Sequence, residues 1–196
     1  MRKSEITRKT AETDVSLLLI LDGAGKSVIE TGVGFFDHML ELFSWHGKFD
    51  LEVKCKGDTH VDSHHSVEDI GTCLGMAFAR ALGDARGIYR YSDITLPTDE
   101  ALVQCVVDVS GRSHLSFDVK VPNHTVGVMD TELLEEFLLA FVRNAGITMH
   151  VRLLSGKNTH HIVEACFKSL ARALRAAVKI DDEFSGEIPS TKGILL

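Results

Sequence analysis

Basic charge is in short supply in this sequence: 21 Lys and Arg stand against 28 Asp and Glu, giving a formal net charge of −7 with His neutral. Such a chain has no general attraction for a phosphate backbone, so nucleic acid is not an expected partner. Long apolar runs are missing as well. The stretch from Val15 to Leu21 is too short, and too closely flanked by acids, for a signal or membrane segment. A soluble, cytoplasmic protein with no membrane partner is expected. The four cysteines, Cys55, Cys73, Cys105 and Cys166, form no C-x-x-C pair, which argues against a disulfide scaffold and against a thiolate metal site. They read as buried thiols. No Pro- or Ser-rich linker divides the chain, and with 44% hydrophobic residues in 196 it can bury one substantial core. A single domain covering 1–196 is expected.

What is present is a duplication. Phe35-Phe36-Asp37-His38-Met39-Leu40-Glu41-Leu42-Phe43 aligns with Leu133-Leu134-Glu135-Glu136-Phe137-Leu138-Leu139-Ala140-Phe141 at a constant offset (133 − 35 = 98). Further on, His64-His65-Ser66-Val67-Glu68 falls on His160-His161-Ile162-Val163-Glu164 (160 − 64 = 96). Upstream, Leu21-Asp22-Gly23-Ala24-Gly25-Lys26-Ser27 resembles Val107-Asp108-Val109-Ser110-Gly111-Arg112-Ser113 (107 − 21 = 86). The repeats run over about 1–92 and 93–196.

Each repeat changes from strand-like to helical periodicity in the same order. Val15 to Leu21 and Ser27 to Thr31 read as a strand pair joined by the Asp22-Gly23-Ala24-Gly25 turn. Phe36, Met39, Leu40 and Phe43 recur at helical spacing. A strand from Phe49 to Lys54 and a helix from about Ser66 to Leu82 follow. The second repeat predicts strands near Leu102 to Val109, Leu115 to Val121 and Thr148 to Leu154, with helices near Thr131 to Asn144 and Ile162 to Val178. The fold class is α+β, two pseudo-symmetric halves, each a sheet covered on one side by two helices. Residues after Lys179 lose periodicity and read as a polar tail.

Six of the ten histidines lie beside another His or an acid within helical segments. His64, His65 and Glu68 open one helix, where positions i, i+3 and i+4 share a surface. Imidazole nitrogen and carboxylate oxygen together suit borderline divalent ions. One such motif could be a solvated helix start. Its recurrence as His160, His161 and Glu164 points to metal. His38 follows Asp37 at another helix start, and its counterpart Glu136 is either a ligand or a solvated helix-face acid. His46 closes that helix, where a cation also suits the dipole. Arg90 and Arg112 sit in turns and could grip a phosphate bidentately or lie idle on the surface. Lys192, with Ser190 and Thr191, could close over an anion or fray. Glu12 is unremarkable by itself.

The runs Arg8-x-Thr10-x-Glu12-Thr13, Thr31-Gly32-Val33-Gly34-Phe35-Phe36-Asp37-His38-Met39-Leu40, Asp62-Ser63-His64-His65-Ser66-Val67-Glu68-Asp69 and Asn158-Thr159-His160-His161-Ile162-Val163-Glu164-Ala165-x-Phe167-Lys168 closely resemble imidazoleglycerol-phosphate dehydratases, over essentially the whole chain. The resemblance implies a fold of the ribosomal protein S5 domain 2-like kind and a homo-oligomer of cubic symmetry with about 24 chains. It also implies manganese, as a pair of ions per active site. By position it puts metal ligands at His38, His64, His65, Glu68, His160, His161 and Glu164. An eighth ligand, His in some relatives, falls on Glu136. Substrate-binding positions fall on Glu12, His46, Arg90, Arg112, Lys168, Ser190, Thr191 and Lys192, with His38, His64, His65 and Glu68 beside them. Glu12 becomes the acid/base candidate, with Glu164 and His46 as alternatives. The reaction implied is loss of water from imidazole glycerol phosphate, giving imidazole acetol phosphate, in histidine biosynthesis. Two other readings use the same residues: a dinuclear metallohydrolase acting on phosphate esters, and a binding module with a structural metal.

Overall fold

The computed structural model describes residues 1–195. The first half contributes strands β1 (Lys3–Lys9), β2 (Thr13–Ile20), β3 (Ser27–Glu30) and β4 (Asp50–Gly57), with helices α1 (Gly34–Gly47) and α2 (His64–Leu82). The second contributes β5 (Tyr91–Thr98), β6 (Ala101–Asp108), β7 (His114–Asp118) and β10 (Thr148–Ser155), with α3 (Leu133–Ala145) and α4 (Thr159–Ala177). A short hairpin, β8 (Thr125–Val126) with β9 (Met129–Asp130), is peculiar to the second half. Both main sheets have the same topology, β1-β2-β4-β3 and β5-β6-β10-β7, so the α+β duplication extends to strand order.

The β2–β3 hairpin expected from the Asp22–Gly25 turn does not form. β3 runs parallel to β4, on the side of β4 away from β2. The cause is Asp50, at the start of β4: its Oδ1 accepts the backbone N–H groups of Ala24, Gly25 and Lys26 at 2.9, 3.0 and 2.9 Å. The turn folds around this carboxylate and carries the chain past β4. Gly23 is required there, because a Cβ would lie 2.3 Å from the Asp50 nitrogen. A second correction concerns the upstream repeat. Ile20 pairs with Asp50 and Asp108 with Thr148, and Thr148 is the counterpart of Asp50, so the true strand offset is 108 − 20 = 88 rather than 86. The sequence alignment was two residues out, one full strand period, which leaves inward and outward faces unchanged and so escapes a pattern test.

β1 and β5 were not foreseen. Each is an edge strand paired on one side only, β1 with one buried apolar residue, Ile6, and β5 with none. Their exposure still alternates, but the inward positions are mostly polar or only half-buried, so the apolar signal that marks β2 and β6 is weak. The C-terminal segment is less of a free tail than its composition suggests. Gly87 N–H donates to Glu187 O at 2.7 Å, Tyr89 N–H to Lys179 O at 3.0 Å, and the Arg90 guanidinium to Pro189 O at 2.8 Å.

The core is a contiguous cluster shared by both halves. Helices meet across the duplication, α2 on α3 and α1 on α4. The two contacts are built differently. At α2–α3, a Cβ on Gly71 would lie 2.7 Å from Phe137 O, and one on Gly75 would lie 2.5 Å from Phe141 O. The equivalent positions on α4 are Phe167 and Ala171, and Phe167 fills the space against Phe36 and Phe137, at ring centroids of 6.3 and 5.3 Å. Of the cysteines, Cys73, Cys105 and Cys166 are buried and Cys55 half-buried, all as free thiols.

Candidate active site

Each sequence motif fixes one functional side chain. In Arg8-x-Thr10-x-Glu12-Thr13, the Thr10 hydroxyl accepts the N–H groups of Glu12 and Thr13 at 3.1 and 3.0 Å. Arg8 and the Thr13 hydroxyl both bind the Asp69 carboxylate on α2. The β1–β2 turn is thus fastened to α2, and Glu12 stands 3.7 Å from Nε2 of His65. In the Thr31–His38 run, Asp37 accepts the Thr31 N–H at 2.9 Å and the Thr31 hydroxyl, which sets the entrance of α1 and the place of His38. At α4, the Asn158 side chain caps the helix by accepting from His160 and His161 N–H, at 2.9 and 3.4 Å. At α2 the Asp62 carboxylate accepts His64 N–H at 2.7 Å.

Three of the expected ligands come together. His38, His160 and Glu164 each place a donor atom within 4.8 Å of the others, His38 Nε2 lying 3.6 Å from Glu164 Oε1. Donors each about 2.1 Å from one ion stand at most about 4.2 Å apart, so this set is close to ligand spacing. Two imidazoles and a carboxylate fit a borderline divalent cation. Among the described residues this is the one such group. In the first half His64 Nε2 lies 3.9 Å from Glu68 Oε2, but the counterpart trio of His64, Glu68 and Glu136 does not close. Glu136 is half-buried on α3 and pairs with no cation within 4.0 Å among the described residues. No His–carboxylate pair within 4.0 Å joins the two His-His-x-x-Glu motifs.

Glu164 also binds Lys168 Nζ through Oε2, at 3.3 Å. His46 lies nearby, and its pKa is held below the ordinary imidazole value by desolvation and by the cations Lys168, Arg172 and Lys48, against a smaller opposing pull from Glu164. At neutral pH it is a neutral imidazole able to accept a proton.

The two turn arginines have different surroundings. Arg112 is exposed, with one guanidinium nitrogen 3.3 Å from Ser110 O and another 3.8 Å from Asp108. Arg90 is largely enclosed and already engaged: Nε donates to Asp108 at 2.8 Å and a terminal nitrogen to Pro189 O. Its packing role is visible only in the folded chain. Ser190, Thr191 and Lys192 follow that carbonyl, in a turn where Lys192 N–H donates to the Ser190 hydroxyl at 3.2 Å.

Two carboxylates went unforeseen. Asp58 Oδ2 lies 3.0 Å from Nδ1 of His65, and Glu100 Oε2 lies 2.7 Å from Nδ1 of His161. Each raises the pKa of its histidine, chiefly through that hydrogen bond. In return the Glu100 carboxyl is pushed down to about 2, first by His161 and then by the Asn158 N–H. The correct offset of 88 would have pointed to Glu100, since it is the counterpart of Glu12.

The geometry can be set beside known proteins. A profile of imidazoleglycerol-phosphate dehydratase matches residues 31–174, which takes in both His-His-x-x-Glu motifs. The chain belongs to the imidazoleglycerol-phosphate dehydratase family. An imidazoleglycerol-phosphate dehydratase from Azorhizobium caulinodans is 57% identical over 195 residues, covering 100% of this chain and 99% of that protein. One from Prochlorococcus marinus is 55% identical over 99% of this chain and 96% of its own. The crystal structure of the Staphylococcus aureus enzyme superposes with a TM-score of 0.84 at 39% identity, over 91% of this chain and 99% of that one. A structure of the Pyrococcus furiosus protein in complex with (S)-C348 gives 0.84 at 35% identity, over 97% and 100%. Imidazoleglycerol-phosphate dehydratases are hydro-lyases, and this chain is an enzyme of that class. No helix among the described residues is long and apolar enough to cross a membrane.

Proposed function

We propose that this enzyme removes water from imidazoleglycerol phosphate to give imidazole acetol phosphate, a step of L-histidine biosynthesis, with manganese as its metal. The observation that carries the reading is the gathering of His38, His160 and Glu164 from α1 and α4, at near-ligand spacing, in a chain of this family. Those three would hold one ion. His64, His65, Glu68 and His161 would complete the set, together with Glu136 where a carboxylate substitutes for an imidazole. A divalent ion bound there supplies Lewis acidity toward the imidazole ring of the substrate.

The remaining chemistry falls to the chain. The net change is loss of a C–H proton and of a neighbouring hydroxide, leaving an enol that becomes the ketone. A group must take the first proton and a proton must reach the departing hydroxide. Glu12 is exposed at the tip of a turn fastened to α2 and, among the described residues, pairs with no Lys or Arg, only with His65 at 3.7 Å, which leaves it open to move protons. Neutral His46 and Glu164 are the other candidates, although Glu164 is committed to Lys168 on one oxygen. Arg112, Lys168 and Lys192 would bind the phosphate away from the reacting carbons and orient them. Arg90 would join them only by relaxing its hold on Asp108 and Pro189.

Because the two histidine motifs do not meet within one chain, we place each complete site where the first motif of one chain meets the second motif of another, in a particle of about 24 chains. Metal would then stabilise the assembly by linkage. The direct test is incubation of chelator-treated protein with imidazoleglycerol phosphate, with and without added manganese. Imidazole acetol phosphate should form only with the metal. Release of inorganic phosphate in its place would support the hydrolase and refute the dehydratase.

A further inference from the structure

The inner histidine of each motif, His65 and His161, is held between two carboxylates in the same manner. Its Nδ1 meets an acid at hydrogen-bond distance, Asp58 at 3.0 Å or Glu100 at 2.7 Å. Its Nε2 faces a second acid farther off, Glu12 or Asp99, each at 3.7 Å. The environments match, yet the residues supplying them are not duplicates. By strand register Glu100 corresponds to Glu12, not to Asp58. Asp58 follows β4, and with the register shift in β10 its counterpart is Lys157, because Gly57 beside Thr13 corresponds to Gly156 beside Ala101.

Lys157 shows why the exchange was needed. The second half carries a lysine where the first carries Asp58, and so has no acid at that place. The carboxylate for His161 must come from elsewhere. It comes from the β5–β6 turn, immediately before Ala101. Glu100 is itself fixed, accepting the N–H groups of Asn158 and Lys157 at 2.8 and 3.3 Å. In the first half Asp58 already holds the ring, and the turn carboxylate Glu12 pairs with no Lys or Arg among the described residues and stays exposed.

We propose that Asp58 and Glu100 are positioning residues for the metal site, each holding Nδ1–H of its histidine so that Nε2 is presented to the ion. The duplicate of Glu100, relieved of that task by Asp58, is thereby free to move protons as Glu12. Metal-bound histidines generally donate their other ring N–H to a carboxylate or carbonyl, which fixes tautomer and ring orientation. Here two different chain positions have converged on that device. The inference rests on the metal reading above, and its test separates the two.

The measurement is the manganese dissociation constant without substrate, read from the free-ion electron paramagnetic resonance signal, for wild type, Glu100→Gln, Asp58→Asn, His161→Ala and the Glu100→Gln/His161→Ala double variant. Gln keeps a carbonyl oxygen for the Asn158 and Lys157 N–H groups, and circular dichroism of metal-free protein checks that the fold survives. Glu100→Gln and Asp58→Asn should each weaken binding about 10- to 100-fold. Combined with His161→Ala, Glu100→Gln should add little, because it acts through that ring. Glu100→Asp, which restores a carboxylate, should recover part of the loss. Wild-type affinity in Glu100→Gln would overturn the inference while leaving the metal reading intact. So would an equal loss in both backgrounds, which would mean that Glu100 merely supports the loop. Absence of manganese binding by wild type would overturn the metal reading, and this inference with it.

Discussion

The two halves share strand order and helix placement, yet their sites are unequal. On the α1–α4 side His38, His160 and Glu164 gather; on the α2–α3 side Glu136 replaces the histidine and the counterpart residues stay apart. The helix contacts differ in step, the first cushioned by Phe167 and the second drawn tight through Gly71 and Gly75. The arginine of the edge clamp, by contrast, was retained. Arg2 corresponds to Arg90 at the offset of 88. Arg2 binds Asp22 through Nε at 3.1 Å and Val178 O through a terminal nitrogen at 2.7 Å, as Arg90 binds Asp108 and Pro189 O. Duplication therefore kept the clamping arginine, although its carboxylate partners Asp22 and Asp108 stand two positions apart at that offset, and let the chemical positions diverge.

The sharpest way to break that comparison is through the diverged turn carboxylates. Glu12→Gln should lower kcat on the order of 10²- to 10⁴-fold, the usual worth of a proton-transfer group, without loss of bound manganese. A variant that turned over normally would remove Glu12 from the chemistry and leave the two turns alike. Next come the helix contacts. Phe167→Ala empties space beside two aromatic rings, Phe36 and Phe137, and should cost about 3–5 kcal/mol in urea unfolding. Gly71→Ala forces a methyl against Phe137 O and should cost about 1–3 kcal/mol. If Gly71→Ala were harmless, the tight contact would not be a constraint.

The arginines give a subtler contrast. Arg112→Ala should raise KM by the equivalent of a charge-assisted hydrogen bond, about 1.5–3 kcal/mol, with unfolding unchanged. Arg90→Ala should instead loosen the C-terminal segment, seen as faster proteolysis after Lys179. Equal KM effects and no change in proteolysis would assign Arg90 to substrate rather than to the clamp. The smallest effect expected is at the other clamp. The hydrogen bond from Arg2 holds the Asp22 carboxyl below its ordinary 3.8. A depressed carboxyl stabilises the fold above its unfolded value and loses that contribution as pH falls through its folded one. Asp22→Asn should thus cost about 0.2–1 kcal/mol at neutral pH, the pair being part-exposed, and nothing in strong acid. Thermal melts across that range read the difference.

Much of this was legible in the sequence where the signal was local and repeated. The four helices showed themselves by apolar spacing, and the His-His-x-x-Glu pairs by recurring at one offset. What stayed hidden depends on partners distant in the chain. β1 offers only Ile6 to the core, and β3 leaves β2 for β4 because of a carboxylate 25 residues away from Gly25. Asp58 and Glu100 are single acids in turns, and nothing in their own neighbourhoods marks them. Arg90 looked free because the carbonyl it binds lies 99 residues further on.

The central claim is that His38, His160 and Glu164 form one half of a manganese site which His64, His65 and Glu68 complete. Elemental analysis of manganese-reconstituted, gel-filtered protein tests it most directly. Wild type should retain about two ions per chain, and His38→Ala/His160→Ala clearly fewer, with circular dichroism unchanged. A wild type that retains none, or a double variant that keeps the full complement, would contradict the account.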